Sequence, residues 1–260
     1  MQESYNAIGS KRIRMKTAAK LIATLILASA LLQGCSTPQQ AIKPADVLYK
    51  DGEQFYKDGK YEDAIVQWKK VKETYQSPEL TTKAEINIAD AYFLNKDYIE
   101  AAAGYEDFRK LHPKHPQADF ALYRQGMSYF NQIHGIDTDQ TPVKNALSTF
   151  DSYLKLYPDG AQLAEVQEKR RECRDKQLQY ELYVGRFYLK TDAYKAAIAR
   201  FEESLKMFAD ASRRDEVLYY LGKAYLKDGQ KAKGREVFGQ LAKEFPGSAY
   251  IADANKALDQ

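Results

Sequence analysis

Small and aromatic residues recur along the chain at helical spacing. Five small residues are each followed by an aromatic ring three positions later: Gly52 with Phe55, Ala89 with Tyr92, Gly126 with Tyr129, Gly185 with Tyr188, and Gly222 with Tyr225. After each pair comes a short residue four positions before another ring: Ala64 with Trp68, Ala101 with Tyr105, Ala146 with Phe150, Ala197 with Phe201, and Gly234 with Phe238. Residues three or four apart share one face of a helix, so each unit is predicted to contain two helices.

This pattern resembles the tetratricopeptide repeat, in which two helices pack as a pair and successive pairs stack. The small residue lets the first helix approach its neighbour, and the rings fill the space beside it. Pro113, Pro158 and Pro246 close the second, third and fifth units, because proline ends a helix. One unit cannot bury its apolar face alone. The sequence therefore predicts an all-α fold, a right-handed solenoid of about five tetratricopeptide-like helix pairs.

One interval between units is longer than the others. The small residues of successive units lie 37, 37, 59 and 37 positions apart. A loop over residues 131–141 explains part of the excess, and the segment Ala161–Lys190, which contains no proline, explains the rest. We expect this segment to be one helix, about 45 Å long, that joins repeats three and four. The predicted modules are residues 45–158, with repeats one to three, and residues 159–260, with the long helix, repeats four and five and a capping helix.

The first 34 residues have the composition of a secretory signal. A basic stretch precedes the apolar segment Leu21–Leu32. As a helix this segment spans about 18 Å, well short of a hydrocarbon core of about 30 Å, so a permanent transmembrane helix is the weaker interpretation. Met15 begins a complete signal by itself, so it is an alternative start. The whole chain has 39 basic and 36 acidic residues, and beyond the signal it has 34 basic and 35 acidic residues. Because this balance is close to neutral, the charge of the mature chain does not favour binding to nucleic acid.

The end of this signal resembles a lipoprotein cleavage site. Cys35 follows Leu32, Gln33 and Gly34. The resemblance implies a covalent lipid on Cys35, no other cofactor, and residues 35–44 as a lipidated tether. Ser36 after the cysteine implies transfer to the outer membrane. The alternatives are an ordinary signal peptide with a chance cysteine and a disulfide between Cys35 and Cys173.

Several motifs along the repeats resemble the BamD family of outer-membrane lipoproteins. They are HPKHP at 112–116, ALYRQG at 121–126, DQT at 139–141, GRFY at 185–188 and AAIARF at 196–201. The resemblance implies a scaffold of the machinery that inserts β-barrels, held by its lipid at the periplasmic face of the outer membrane. Its implied partners are the periplasmic domains of a BamA-like barrel-forming subunit, other assembly lipoproteins and unfolded β-barrel clients, whose C-terminal strand the N-terminal repeats receive.

Two faces of the predicted first helices are candidate binding surfaces. In repeats one to three the face that does not pack within its own repeat is apolar and is predicted to hold clients: Tyr49, Tyr56, Ile86, Phe93, Phe120, Tyr123, Met127 and Phe130. In repeats four and five the corresponding face is basic at i, i+4 spacing and is predicted to dock a partner: Arg186, Lys190, Lys223 and Lys227. The resemblance to the BamD family implies two further docking residues, Arg174 and Lys176, because the family docks its partner around the start of the fourth repeat. The alternatives are that the aromatics fill the repeat core and that the bases form a solvated face.

The sequence contains no arrangement that is typical of an enzyme. His112 and His115 are three positions apart, but prolines break the helix that such a metal-ligand pair requires. No glycine-rich phosphate loop follows a strand, and the carboxylates are scattered over helix faces. A binding protein is therefore predicted, without a metal site. The alternative function is a repeat lipoprotein that tethers an envelope or pilus secretin complex.

Overall fold

The computed structural model describes residues 43–74 and 76–259, and this part of the chain is helical. Its helices are α1 (Ala45–Lys57), α2 (Tyr61–Thr74), α3 (Pro78–Leu94), α4 (Tyr98–Leu111), α5 (Ala118–Asn131), α6 (Thr141–Leu156), α7 (Leu163–Lys190), α8 (Tyr194–Met207), α9 (Arg214–Lys227), α10 (Lys231–Glu244) and α11 (Ile251–Leu258). None of these helices is both long enough and apolar enough to cross a membrane. The predicted signal, Cys35 and most of the predicted tether lie outside the described residues.

The helices form five consecutive pairs, α1–α2 to α9–α10, and α11 packs on the last pair. Each helix packs on the next one in the chain. The first helices of neighbouring pairs are also in contact: α1 contacts α3, α5 contacts α7, and α7 contacts α9. The all-α prediction with paired repeat helices is therefore confirmed, whereas the handedness and the domain division stay predictions.

The small residue of each first helix faces the second ring of its repeat, as the spacing predicted. A Cβ atom placed on Gly52 would lie 2.5 Å from the Trp68 indole, and one on Gly126 would lie 2.5 Å from the Phe150 ring. The same overlap would arise between Gly185 and Phe201 and between Gly222 and Phe238. Since no side chain fits in that space, these glycines set how closely the two helices of a repeat approach.

The helices of four repeats are joined by three-residue turns that share one backbone conformation. The middle residue of each turn is left-handed: Gly59 at φ 73°, Lys96 at φ 68°, Asp192 at φ 60° and Gly229 at φ 79°. Only glycine adopts this conformation without steric cost. The third repeat departs from the rule, because residues 132–140 form a longer connection between α5 and α6. This connection lies within the loop predicted over 131–141.

The long helix is present as α7, which begins two residues later than predicted and has 28 residues. Val166 and Cys173, in its first half, are buried against α6 with Phe150 and Tyr153. Leu178 and Leu182, in its second half, belong to the core of the last two repeats. The helix therefore contributes to two hydrophobic clusters in turn and connects repeats three and four.

Arg170 and Arg174 strengthen this connection from the surface of α7. The Arg170 guanidinium lies 2.5 Å from the Asp151 carboxylate of α6 and 3.7 Å from Asp210. Arg174 binds Asp210 at 2.5 Å and also donates to the backbone carbonyl of Met207 at 2.5 Å. These ion pairs bind the middle of α7 to α6 on one side and to the connection after α8 on the other.

Candidate functional site

The predicted client residues other than Ile86 lie half-buried on the first helices of repeats one to three. We call this surface the aromatic groove and define it by Tyr49, Tyr56, Phe93, Phe120, Tyr123, Met127 and Phe130, all of which are half-buried. Phe93 packs edge-on against Tyr98 at 5.4 Å between ring centroids, and Phe120 lies 6.3 Å from Tyr123.

Ile86 does not belong to this surface. Its side chain is only 2% exposed and packs in the core of the second repeat with Ala89 and Tyr105. The prediction that Ile86 lines the client surface was wrong, because the position turns toward α4 and not toward the face shared by α1, α3 and α5. A residue this deeply buried offers no apolar area to a ligand.

The predicted alternative, that the aromatics fill the repeat core, describes part of the groove. Tyr49 accepts a hydrogen bond from the Asn87 amide at 2.9 Å, and Tyr56 packs 5.6 Å from the Trp68 ring. Both tyrosines lie against the core of the first repeat. Burial raises the pKa of each of these hydroxyls. The groove residues are thus fixed by internal contacts and keep part of each ring exposed.

A charged cluster that the sequence did not predict lies beneath the groove. The guanidinium of Arg124 stacks on Phe93 at 3.7 Å and lies 5.6 Å from the Phe120 ring. Its Nε atom is 3.6 Å from the carboxylate of Asp90, and the two side chains are each 19% exposed. Among the described residues, this Nε is a buried nitrogen without a hydrogen-bond partner. The arginine charge is therefore enclosed by two rings and one carboxylate.

Asp90 also accepts a hydrogen bond from the Tyr105 hydroxyl. Burial raises the pKa of the Asp90 carboxyl above its usual range, although Tyr105 and Arg124 both favour the ionised form. Burial and then the hydrogen bond with Glu165 raise the pKa of Tyr123, at the other side of the groove, to about 12. The groove therefore has an apolar upper layer over a partly desolvated polar layer.

The predicted partner-docking residues of repeats four and five are brought together around one cavity. Arg186 and Lys190 lie on α7, and Lys223 and Lys227 lie on α9. The cavity between them has a volume of about 610 Å³, and the other side chains that line it are aromatic or apolar except for the carboxylate of Asp192. We call it the basic cavity. The i, i+4 spacing in the sequence was sufficient to find its four bases.

The basic charge in the cavity is only partly balanced by the chain. Glu216, which is 3% exposed, lies 3.7 Å from Arg186 and 2.5 Å from Arg213. Arg186 also stacks 5.0 Å above the Tyr220 ring. Lys190, Lys223 and Lys227 form no ion pair with any carboxylate of the described chain. These three lysines therefore carry the unbalanced charge of the cavity.

Arg174 and Lys176 lie outside the basic cavity. The guanidinium of Arg174 is bound to Asp210 and lies 5.4 Å from the Phe208 ring, with its side chain 19% exposed. Its charge is thus balanced within the chain, and the predicted role of Arg174 in docking stays a prediction. Lys176 is half-buried, and its predicted role in docking stays a prediction.

The cavity also has an aromatic wall, which the repeat pattern did not predict. Tyr183 and Phe187, four residues apart on α7, are 49% and 59% exposed. Tyr194 and Tyr220 complete the wall. The signal was available, since positions 183, 186, 187 and 190 share one helix face. It was overlooked because aromatic residues at helical spacing are usually core.

The two histidines of the HPKHP motif have packing contacts. His112 Nε2 lies 2.6 Å from Glu85, which Lys72 also approaches at 3.5 Å. His115 packs edge-on against the Phe108 ring at 5.1 Å. The motif therefore fastens the end of α4 to α3.

Residues 41–237 match the family model described as YfiO, outer membrane lipoprotein. The chain belongs to the YfiO family of outer membrane lipoproteins. The predicted family and outer-membrane location are thereby confirmed, while lipidation of Cys35, which lies outside the described residues, stays a prediction.

Relatives of this YfiO-family chain include two proteins named outer membrane protein assembly factor BamD. The one from Caulobacter vibrioides is 26% identical over 90% of this chain and 79% of that protein. The one from Rickettsia prowazekii is 26% identical over 92% of this chain and 96% of that protein. The prediction that the chain is not an enzyme is confirmed by its membership of this family of assembly factors.

Among solved structures, the pHSP90 complex of the TPR2AB domain of yeast Sti1 shares 15% identity with this chain. The match covers 82% of this chain and 84% of that one, with a TM-score of 0.43. A likeness at this level carries no argument about function.

Proposed function

We propose that this YfiO-family protein is a scaffold of outer-membrane β-barrel assembly that holds an unfolded client and the barrel-forming subunit at the same time. The observation that carries the proposal is the family match over residues 41–237, on a chain whose repeats present two chemically different surfaces. A lipid on Cys35 holds the scaffold at the outer membrane, where the other assembly lipoproteins are further partners.

The aromatic groove receives the client. The half-buried rings of Phe93, Phe120 and Tyr123 offer apolar area to the alternating side chains of an extended strand. Because these rings are already held by contacts with neighbouring side chains, binding orders few new side chains and so costs little conformational entropy. An aromatic residue near the client's C-terminus is the expected anchor.

The basic cavity docks the barrel-forming subunit through its periplasmic domains. Lys190, Lys223 and Lys227 carry charge that the described chain does not balance, so an acidic partner surface gains attraction without breaking an existing pair. Charge of this kind mainly accelerates association and sets orientation, and the exposed rings of Tyr183 and Phe187 supply apolar area.

The test is recovery of partners from detergent-solubilised envelopes with a C-terminal tag, comparing the native chain with Cys35→Ser. We expect a large barrel protein with periplasmic repeats to be recovered with the native chain and reduced with Cys35→Ser. Recovery of a secretin or of wall-linked proteins without that barrel would contradict the proposal.

Site-specific photo-crosslinking separates the two surfaces. A photoreactive amino acid at Phe93 or Tyr123 is expected to capture a nascent β-barrel client, and one at Lys223 is expected to capture the barrel-forming subunit. The matched control is Ile99, which is 69% exposed and belongs to neither surface. Equal capture of clients at Ile99 and Tyr123 would overturn the assignment of the groove.

A further inference from the structure

The basic cavity continues beyond the residues that line it. A second cavity, of about 210 Å³, shares Lys223 and Lys227 with it and adds Lys231 and Arg235 from α10. Its other walls are the apolar side chains of Leu226, Ala257 and Leu258. We call the combined surface the basic trough and define it by its six bases: Arg186, Lys190, Lys223, Lys227, Lys231 and Arg235.

These six bases are three pairs at i, i+4 spacing, one pair on each of three helices. Arg186 and Lys190 are on α7, Lys223 and Lys227 on α9, and Lys231 and Arg235 on α10. Among the residues that line the two cavities, Asp192 is the single carboxylate. The trough therefore has a large excess of positive charge in a chain that is close to neutral beyond its first 34 residues.

The spacing of the bases matches an extended peptide. Positions four apart in a helix are separated by about 6 Å along the axis. Side chains on one side of an extended chain are separated by about 6.6 Å, because every second residue points the same way. A strand with carboxylates at alternate positions can therefore place one carboxylate against each base of a pair.

The apolar walls indicate what lies between the carboxylates. Tyr183 and Phe187 stand beside Arg186 and Lys190, on one face of α7, and about half of each ring is exposed. Rings in this position contact the apolar side chains of a ligand whose acidic groups reach the lysines. A lone inorganic anion would leave the rings exposed and would use only one pair of bases.

We infer that the basic trough binds an extended acidic peptide segment, with carboxylates at alternate residues and an aromatic or apolar side chain between them. The inference rests on the proposed docking of a partner at this surface and adds the chemistry of the segment that enters. Charge complementarity with three base pairs and contact with an exposed aromatic wall together select this occupant.

The probe is a fluorescein-labelled twelve-residue peptide with glutamate at alternate positions and phenylalanine, serine and glycine between them. Fluorescence anisotropy measures its binding to the mature, lipidated chain in detergent. We expect saturable binding that weakens at least tenfold when sodium chloride is raised from 50 to 300 mM. A peptide of the same composition with its glutamates in one block is expected to bind at least fivefold more weakly, and one with glutamine for glutamate is expected not to bind.

The decisive variant is Lys223→Glu combined with Lys227→Glu, which reverses the pair shared by both cavities. Its matched control is Lys206→Glu combined with Lys243→Glu, which changes the net charge equally at exposed lysines outside the trough. We expect at least a tenfold loss of affinity in the first variant and less than twofold in the control. Equal affinity of the two variants would overturn the inference, and circular dichroism checks that both are folded.

A second variant tests the aromatic wall. Tyr183→Ser combined with Phe187→Ser is expected to weaken binding at least threefold, and to have no effect on a peptide whose phenylalanines are replaced by serine. Binding that is unchanged by the double substitution would contradict the assignment of the wall.

Two further measurements distinguish a peptide from an anionic lipid, and the trough from the proposed docking. The first adds vesicles with 30% phosphatidylglycerol to the bound peptide. If the vesicles displace the peptide, and the alternating and blocked peptides bind with equal affinity, the ligand of the trough is an anionic lipid and the inference is overturned. Loss of peptide binding in the Lys223→Glu, Lys227→Glu chain with unchanged recovery of the barrel-forming subunit would support the trough while contradicting the proposed docking. Loss of recovery with unchanged peptide binding would overturn the trough alone.

Discussion

The aromatic groove and the basic trough use the same kinds of residue in opposite arrangements. In the groove, the arginine lies beneath the rings, where Phe93 covers it and Asp90 balances it. In the trough, the lysines are accessible, and Tyr183 and Phe187 stand beside them with about half of each ring exposed. The difference separates a basic residue whose counter-ion the chain supplies, as for Arg124, from basic residues that the described chain leaves without one, which are the ones proposed to bind a partner.

The largest effect that this comparison predicts is on stability. We expect Arg124→Ala to lower the free energy of unfolding by about 2 kcal/mol at pH 7, because it leaves the Asp90 carboxyl partly buried beside Tyr105 without its counter-ion. Urea denaturation followed by circular dichroism measures the change. A loss below about 0.5 kcal/mol would show that Arg124 is as dispensable as an ordinary surface charge.

The second effect is a pH dependence that arises in the groove. Burial raises the pKa of Asp90 in the folded chain above its ordinary value of 3.8, so the native state keeps this proton to higher pH than the unfolded chain does. The stabilisation by this group is therefore complete below pH 3.8 and is lost as the pH rises through the raised pKa. Over that range of pH, the free energy of unfolding of the native chain should fall, relative to that of Asp90→Asn, by about 1.4 kcal/mol for each unit of the pKa shift.

Urea titrations of the native chain and Asp90→Asn at a series of pH values from 3.5 to 7 test this prediction. A difference between the two chains that is constant with pH, or one that grows in favour of the native chain as the pH rises, would contradict it.

A smaller effect on the free energy of unfolding is expected at two left-handed turn residues, Lys96 near the groove and Asp192 at the trough. Lys96, below the groove, is left-handed without a glycine, so Lys96→Gly should raise the free energy of unfolding by about 0.5–1 kcal/mol. Asp192, at the trough, accepts a hydrogen bond from Tyr194 at 2.5 Å. Because Asp192→Gly removes this hydrogen bond, it should raise the free energy of unfolding by less than Lys96→Gly does. Gly59→Ala is the matched control and should destabilise the chain.

The smallest expected effect is in the trough. Lys223→Gln combined with Lys227→Gln should change the free energy of unfolding by less than about 0.5 kcal/mol, because these lysines form no ion pair within the described chain. The same urea titration measures it beside Arg124→Ala. A loss comparable to that of Arg124→Ala would mean that the trough lysines are structural, and the contrast between the two surfaces would fail.

The repeat pattern predicted the fold well because its signals are local. A glycine opposite a ring, such as Gly126 with Phe150, and a proline after the closing helix, as in the second, third and fifth repeats, act within one repeat. The basic cavity was also predictable, because i, i+4 spacing alone puts Lys223 beside Lys227. Ile86 was misplaced because a shift of one position around a helix decides between core and surface, and that rotation depends on packing with α4.

The Asp90–Arg124 pair and the extension of the trough were not predictable in the same way. Asp90 and Arg124 lie on different repeats, and Lys231 and Arg235 join Lys223 and Lys227 only when α10 folds back on α9. Contacts between helices depend on how the two helices of a pair fold together and how the pairs stack, which residue spacing along one helix does not specify.

The long helix α7 also bears on how the molecule unfolds. Stacked repeats ordinarily melt in blocks, since each unit is stabilised only by its neighbours. Here Val166 and Cys173 are buried in one hydrophobic cluster and Leu178 and Leu182 in the next, along 28 residues without a turn. Unfolding that passes α7 from either end must therefore remove core residues from both clusters, so we expect α7 to couple the unfolding of the two halves.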